Sequence, residues 1–309
     1  MYQLQNLGVK KLLSILFISG STLLAQHSHF TKNDHWRTQN KEFILGIGTS
    51  NLLGDLGGRD RLGKINSLAD LETSLFRPAG HFGFRFRLLP FLSTTSMFQY
   101  GWLEGDDDLT NIPNRRYRNI NTRTHLFEFT QRVELLLYCK ENFGKRFKRP
   151  GLKGLRAKND ALYLFSGISV FGFIPQGKYE GTWRNLRPLN TEGQGLAGAP
   201  DPYKEYSFGI PIGIGYKVGL NGYWRMSFEI SLTKTFTDYL DDVSGVYYDN
   251  NQIEQAYGTA AAYFADPSNG AFREWTEPGK SRGNPDQMDA YTFINISLIR
   301  NIVYKKRDY

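Results

Sequence analysis

Residues 223–236 read Tyr-Trp-Arg-Met-Ser-Phe-Glu-Ile-Ser-Leu-Thr-Lys-Thr-Phe. Trp224, Met226, Phe228, Ile230 and Leu232 fall on one face of an extended chain, and Arg225, Ser227, Glu229, Ser231 and Thr233 on the other. Strand side chains alternate between faces, so this pattern is a strand with one apolar and one polar surface. Two further segments repeat it. Phe82, Phe84, Phe86 and Leu88 alternate with Gly83, Arg85 and Arg87. Phe127, Phe129, Val133, Leu135 and Leu137 alternate with Glu128, Thr130, Arg132 and Glu134, and Gln131 interrupts the apolar face. Such strands exceed the usual globular length of about 5–6 residues. They suit the roughly 9–11 residues that a tilted strand needs to cross a bilayer.

Working outward, the same reading places strands at about 42–50, 81–89, 93–103, 125–139, 160–175, 207–218, 223–236 and 291–304. Pro211 stands inside the sixth and is a poor fit for a central strand. The count is even, as bacterial outer-membrane barrels prefer. Connections after the second, fourth and sixth strands are about 3, 20 and 4 residues; the others are about 30, 21, 31 and 54. Short periplasmic turns alternating with long outer loops give an all-β, closed antiparallel transmembrane barrel of about eight strands. Both termini then lie in the periplasm. A ring this narrow holds side chains rather than a channel.

The chain's ends and composition agree. Lys10 and Lys11, the apolar run 12–18 and the small residue Ala25 have the layout of a secretory signal peptide over 1–25. A flexible segment, 26–41, and a barrel domain, 42–309, follow. Mean hydropathy is −0.45, and no apolar stretch is long enough for a membrane helix. Only helices and closed barrels satisfy the backbone in lipid. The single Cys139 excludes an internal disulfide framework. Net charge is +8, but the basic residues concentrate in one turn and an exported chain does not point to nucleic acid.

The charges on the polar faces, Arg85, Arg87, Glu128, Arg132, Glu134, Arg225 and Glu229, are expected to line the lumen and pair with one another, since buried charge demands partners. Trp102, Tyr216, Trp224 and Tyr304 are candidates for interfacial girdles. The inner turn 140–159 carries Lys145, Arg146, Lys148, Arg149 and Lys153 among its eight cations, against Glu141 alone. It reads either as a solvated loop or as a docking patch for an acidic periplasmic partner or anionic head groups.

Four segments carry a family resemblance. They are 51–57, with Gly54 and Asp55; 126–129; 208–217; and 237–249, Thr-Asp-Tyr-Leu-Asp-Asp-Val-Ser-Gly-Val-Tyr-Tyr-Asp. The last, with Asp238, Tyr239, Asp241 and Asp242, is the most specific. Together they resemble the PorG-like outer-membrane barrels of the Bacteroidota type IX secretion system. The resemblance implies a non-catalytic subunit of a protein secretion and gliding apparatus. It further implies anchoring of a periplasmic ring, built from a lipoprotein and a ring protein, to outer-membrane lipid. The long loops leave open a second reading, a surface ligand-binding or adhesion module.

Other constellations are weaker. Asp238, Asp241, Asp242 and Asp249 crowd one loop and offer oxygen ligands for calcium, without EF-hand spacing; local turns are the plainer account. His81 and His125 lie near Asp238 in depth, but strand parity turns one inward and the other outward, away from shared acid–base work. No cofactor motif is present: Gly213-Ile214-Gly215 precedes no helix.

Overall fold

The computed structural model describes residues 40–54, 56, 73–109, 113–140, 160–220, 223–268 and 270–302. The expected signal peptide and N-terminal segment, Asp55, Tyr304 and the basic turn with Lys145, Arg146, Lys148, Arg149 and Lys153 lie outside these residues.

The fold read from the sequence is present: a closed, antiparallel transmembrane β-barrel. Its strands are β1 (Lys41–Leu53), β2 (Arg77–Leu89), β3 (Leu92–Asp106), β4 (Asn121–Lys140), β5 (Asp160–Tyr179), β6 (Thr182–Asn185), β7 (Tyr206–Gly219), β8 (Trp224–Thr235) and β9 (Ala290–Ile302). Among the described residues eight of them form the ring, each paired to its neighbour, and β1 closes it by pairing with β9 from Lys41↔Ile302 to Leu53↔Ala290. Closure removes both sheet edges. The short-turn end holds the β2–β3 and β7–β8 connections; the loop end holds the rest of the described connections.

Parity decides what each face meets. Leu45, Ile47, Phe84, Phe127, Ile168, Ile212, Phe228 and Ile296 are exposed outside, while Glu42, Arg85, Arg132, Glu134, Arg225 and Glu229 are buried inside. Ile47 is 73% exposed and Arg225 2%, the reverse of a soluble protein's order. A continuous apolar exterior of this kind is a lipid-facing wall. Of the expected girdle residues, Tyr216 is exposed on the wall and Trp224 carries the Arg300 guanidinium 5.5 Å from its ring centroid.

Three features differ from the sequence reading. First, β4 and β5 each run 20 residues, beyond the expected 125–139 and 160–175. In their extensions, 121–124 and 176–179, burial still alternates, but the outward residues are polar, Asn121, Arg123, Gln176 and Lys178, so no apolar face marks them in the sequence. Second, β6 pairs with the top of β5, from Gln176↔Asn185 to Tyr179↔Thr182. The connecting turn uses Glu180 and Gly181 with φ of 49° and 79°, the left-handed pair that a two-residue hairpin requires. Third, Pro211 stays within β7 and pairs with Thr233 of β8, but the β5 ladder lapses opposite it, between Ser166↔Ile212 and Ser169↔Gly209. Proline has no N–H to donate there.

The 54-residue reading of the last loop also gains internal structure. Helices α2 (Asn250–Tyr257), α3 (Thr259–Ala265) and α4 (Arg273–Thr276) lie within it, and α1 (Pro113–Arg118) precedes β4.

Candidate functional site

The lumen is filled by two layers of different construction. Toward the short-turn end, strand side chains form an ionic network. Glu42 is approached by Arg85 Nη1 at 2.8 Å, Lys217 Nζ at 3.3 Å and Arg225 Nη1 at 3.4 Å. Arg85 Nε also meets Glu134 at 2.6 Å, and Arg132 Nη2 meets Glu134 at 3.0 Å and Glu229 at 2.7 Å. Thr95 Oγ1 donates to Glu134 at 2.7 Å, and the Tyr163 hydroxyl donates to Glu229. The Arg132 guanidinium stacks 4.0 Å from the Phe165 ring centroid. A Cβ at Gly213 or Gly215 would collide with the Phe165 or Tyr163 ring, so these glycines give the two rings their space.

Of the seven charged residues singled out by parity, Arg85, Arg132, Glu134, Arg225 and Glu229 meet in this network. Arg87 lies nearer the short turn, with Nε donating to the Pro90 carbonyl at 3.1 Å. Glu128 sits higher, accepting a hydrogen bond from the Tyr291 hydroxyl at 2.8 Å. No arginine lies within ion-pairing distance of Glu128 among the described residues, which corrects the expectation that it neutralises one. Its rung faces the aromatic layer of Phe171 and Tyr291 rather than the guanidinium layer. Sequence reasoning missed Glu42 and Lys217. Their parity was available: Lys217 shares the inward face of Gly213 and Gly215, and Glu42 opposes Phe43 and Leu45.

The loop end is plugged by the segment 237–249. Leu240 is fully buried among inward side chains of the wall, including Leu52, Leu103, Leu126, Phe171 and Phe293. Its backbone is held at both groups: Thr124 Oγ1 donates to its carbonyl, and its N–H donates to Asp289 Oδ2 at 2.9 Å. Asp241 Oδ1 accepts from Val243 N–H at 3.1 Å, and Oδ2 from Leu56 N–H at 3.3 Å. A Cβ on Gly54 would stand 2.7 Å from Asp289 Oδ1 and 2.9 Å from Asp241 Oδ2. Gly54 thus lets the first loop pass the plug.

Above Leu240, carboxylates bind the loops to one another. Asp242, in the left-handed region at φ 62°, accepts from Thr191 Oγ1 and from the Tyr203 hydroxyl, each at 2.6 Å. Glu192 accepts from Ser244 N–H at 2.9 Å and from Arg282 Nη1 at 3.0 Å. Asp107 takes Arg118 Nε at 2.7 Å and Nη2 at 2.8 Å. The Tyr239 hydroxyl approaches Glu192 at 3.4 Å. Burial raises the Asp242 carboxyl to about 6 against the opposing pull of Arg282. Burial, with the Asp242 charge, lifts the Tyr203 hydroxyl well above its ordinary value.

The four aspartates do not form the calcium site weighed above. Asp249 caps α2 through Asn251 and Gln252 N–H groups, and Asp241 and Asp242 are turned to backbone and hydroxyl donors. Asp238 is buried. Among the described residues no three His, Cys, Asp or Glu side chains converge as metal ligands. His81 Nε2 lies 2.7 Å from Ser297 Oγ inside the lumen, whereas His125 Nδ1 lies 2.8 Å from the Tyr100 hydroxyl on the outer wall. With Asp238 in the plug, these three residues occupy separate surroundings.

No protein-family model matches the chain, and no curated protein matches it. Among solved structures it is similar to Ail, the attachment invasion locus protein of Yersinia pestis, here in complex with the heparin analogue sucrose octasulfate. Identity is 7%, covering 84% of this chain and 97% of that one, with a TM-score of 0.35. It is also similar to Neisserial surface protein A, at 6% identity over 85% and 97% of the two chains, TM-score 0.33. Identities and scores this low transfer no ligand or activity. The barrel assignment rests on the closed strand register.

Proposed function

We propose that this chain is a non-catalytic outer-membrane barrel subunit of a type IX protein secretion and gliding apparatus. It anchors a periplasmic ring of lipoprotein and ring subunit to the membrane, with the short-turn end and both termini in the periplasm. The observation that carries the reading is the position of the segment 237–249. This stretch bears the strongest family resemblance, and it seals the loop end through Leu240 while the ionic network fills the lumen below. A barrel closed at both levels suits a membrane anchor rather than a conduit. In the sequence, the basic stretch 140–159 carries the charge that docking to an acidic periplasmic partner would need.

Affinity purification of the tagged chain from solubilised envelopes tests this. Ring proteins should co-purify, and replacing Lys145, Arg146, Lys148 and Arg149 by Glu should release them while the barrel still assembles. Recovery of the barrel alone, with normal secretion in a deletion strain, would sink the proposal.

A further inference from the structure

Most outward side chains of the wall's middle are apolar; along β7 they read Ile210, Ile212 and Ile214. The sector formed by β3, β4 and β5 departs from this. Two adjacent rungs there carry Ser96 opposite Gln131, and Thr94 opposite Val133, which in turn faces Ser166. All four polar side chains point away from the lumen and are exposed or half-buried. Ser96 Oγ donates to Gln131 Oε1 at 2.5 Å, and Gln131 Nε2 donates to Thr94 Oγ1 at 2.6 Å.

This polar spot lies about midway along β4 between His125 and Tyr138, the aromatic residues near its two ends. Water does not reach that depth, so hydrogen-bonding groups facing hydrocarbon are costly. The local bonds use one amide hydrogen and one lone pair of Gln131. A carboxamide has a second of each. The spot therefore retains both a donor and an acceptor directed into the lipid.

From this we infer that the β3–β5 face is an intramembrane interface between two copies of the chain, related by a two-fold axis along the membrane normal. Two arguments select a second copy as the occupant. Copies embedded in one membrane share their depth, so the spot of one meets the spot of the other without further adjustment. An unrelated partner would need its own polar group at that height. The carboxamide is also self-complementary, which is what an isologous interface demands. Flanking side chains such as Phe129 and Ile168 provide apolar contact around it, and polar side chains of this kind hold membrane segments together.

The test uses the full chain in phosphatidylcholine vesicles, with Cys139→Ser as background. A spin label at Ser166→Cys should report a short intermolecular distance, and one at Ile296→Cys on β9 a longer one. Förster transfer between differently labelled barrels, measured against dilution in lipid, gives the dimer affinity. Gln131→Leu should weaken dimerisation roughly tenfold while the variant keeps the heat-modifiable migration of a folded barrel; Ser96→Ala should weaken it less. Monomers at every dilution, equal dimerisation by Gln131→Leu, or the shorter distance at position 296 would each overturn the inference.

Discussion

The two halves of the lumen are filled by different means. At the short-turn end, rigid strands deliver long side chains, and each carboxylate of the network meets two or more cations: Glu42 meets Arg85, Lys217 and Arg225. At the loop end, a carboxylate meets one cation and fills its remaining sites with backbone N–H groups from irregular chain, as Glu192 does with Arg282, Ser244 and Gly245. The first arrangement is specified by strand register. The second depends on a few residues far apart in sequence. Damage to the ionic layer should therefore unfold the wall, and damage to the plug should loosen loops on an intact wall.

Replacing Glu42 by Ala probes the first half most severely. Three cations lose a buried partner, and about 3–5 kcal/mol of barrel stability should vanish, read as a lower urea midpoint in lipid vesicles. Replacing Arg282 by Ala probes the second half. It removes the ion pair with Glu192 and the contact near Asp242 and should cost the plug about 3 kcal/mol. Amide exchange should accelerate at 241–245 with little change in the wall strands. Equal loss of protection in both regions would mean that plug and wall unfold as one unit.

Acidity sharpens the comparison further. The Asp242 carboxyl titrates near 6 in the folded plug, above the ordinary 3.8, so the folded state holds this proton more tightly. Its contribution is complete below about 3.8 and is lost as pH rises through about 6, a difference of roughly 2–3 kcal/mol. Asp242→Asn should flatten that slope in exchange rates at 241–245 measured between pH 4 and 7. The smallest effect is expected at Glu128. Glu128→Ala removes one hydrogen bond to Tyr291 and should cost about 1–2 kcal/mol. A larger loss, matching that of Glu42→Ala, would return Glu128 to the ionic layer.

These contrasts follow what the sequence makes legible. β8 is readable because lipid outside and charge inside impose opposite demands on neighbouring residues, and Trp224 to Thr233 obey both. Glu42 is harder to see, since Ile44 on the same inward face hides the alternation. The upper ends of β4 and β5 are illegible for a related reason: their outward residues, such as Arg123 and Lys178, are polar, so both faces read alike. The plug is the extreme case. Segment 237–249 stands out as a motif, yet the burial of Leu240 in one cluster with Leu52 and Phe293 leaves no local periodicity. Asp241 and Asp242 accordingly invite a metal reading, until their donors prove to be Leu56, Val243, Thr191 and Tyr203. β6 escapes notice because four residues carry too little pattern.

The pairing of β1 with β9 has a consequence for assembly. Lys41 waits for Ile302, so the first strand of the ring is sealed by its last. Until residues 290–302 arrive, β1 and β8 each present a row of unsatisfied N–H and C=O groups, which hydrocarbon does not tolerate. Insertion is thereby tied to completion of the ring. A nascent or prematurely stopped product lacking β9 should fail to enter the bilayer as a whole, rather than persist as a seven-stranded fragment, leaving only molecules with the closed ring to accumulate there.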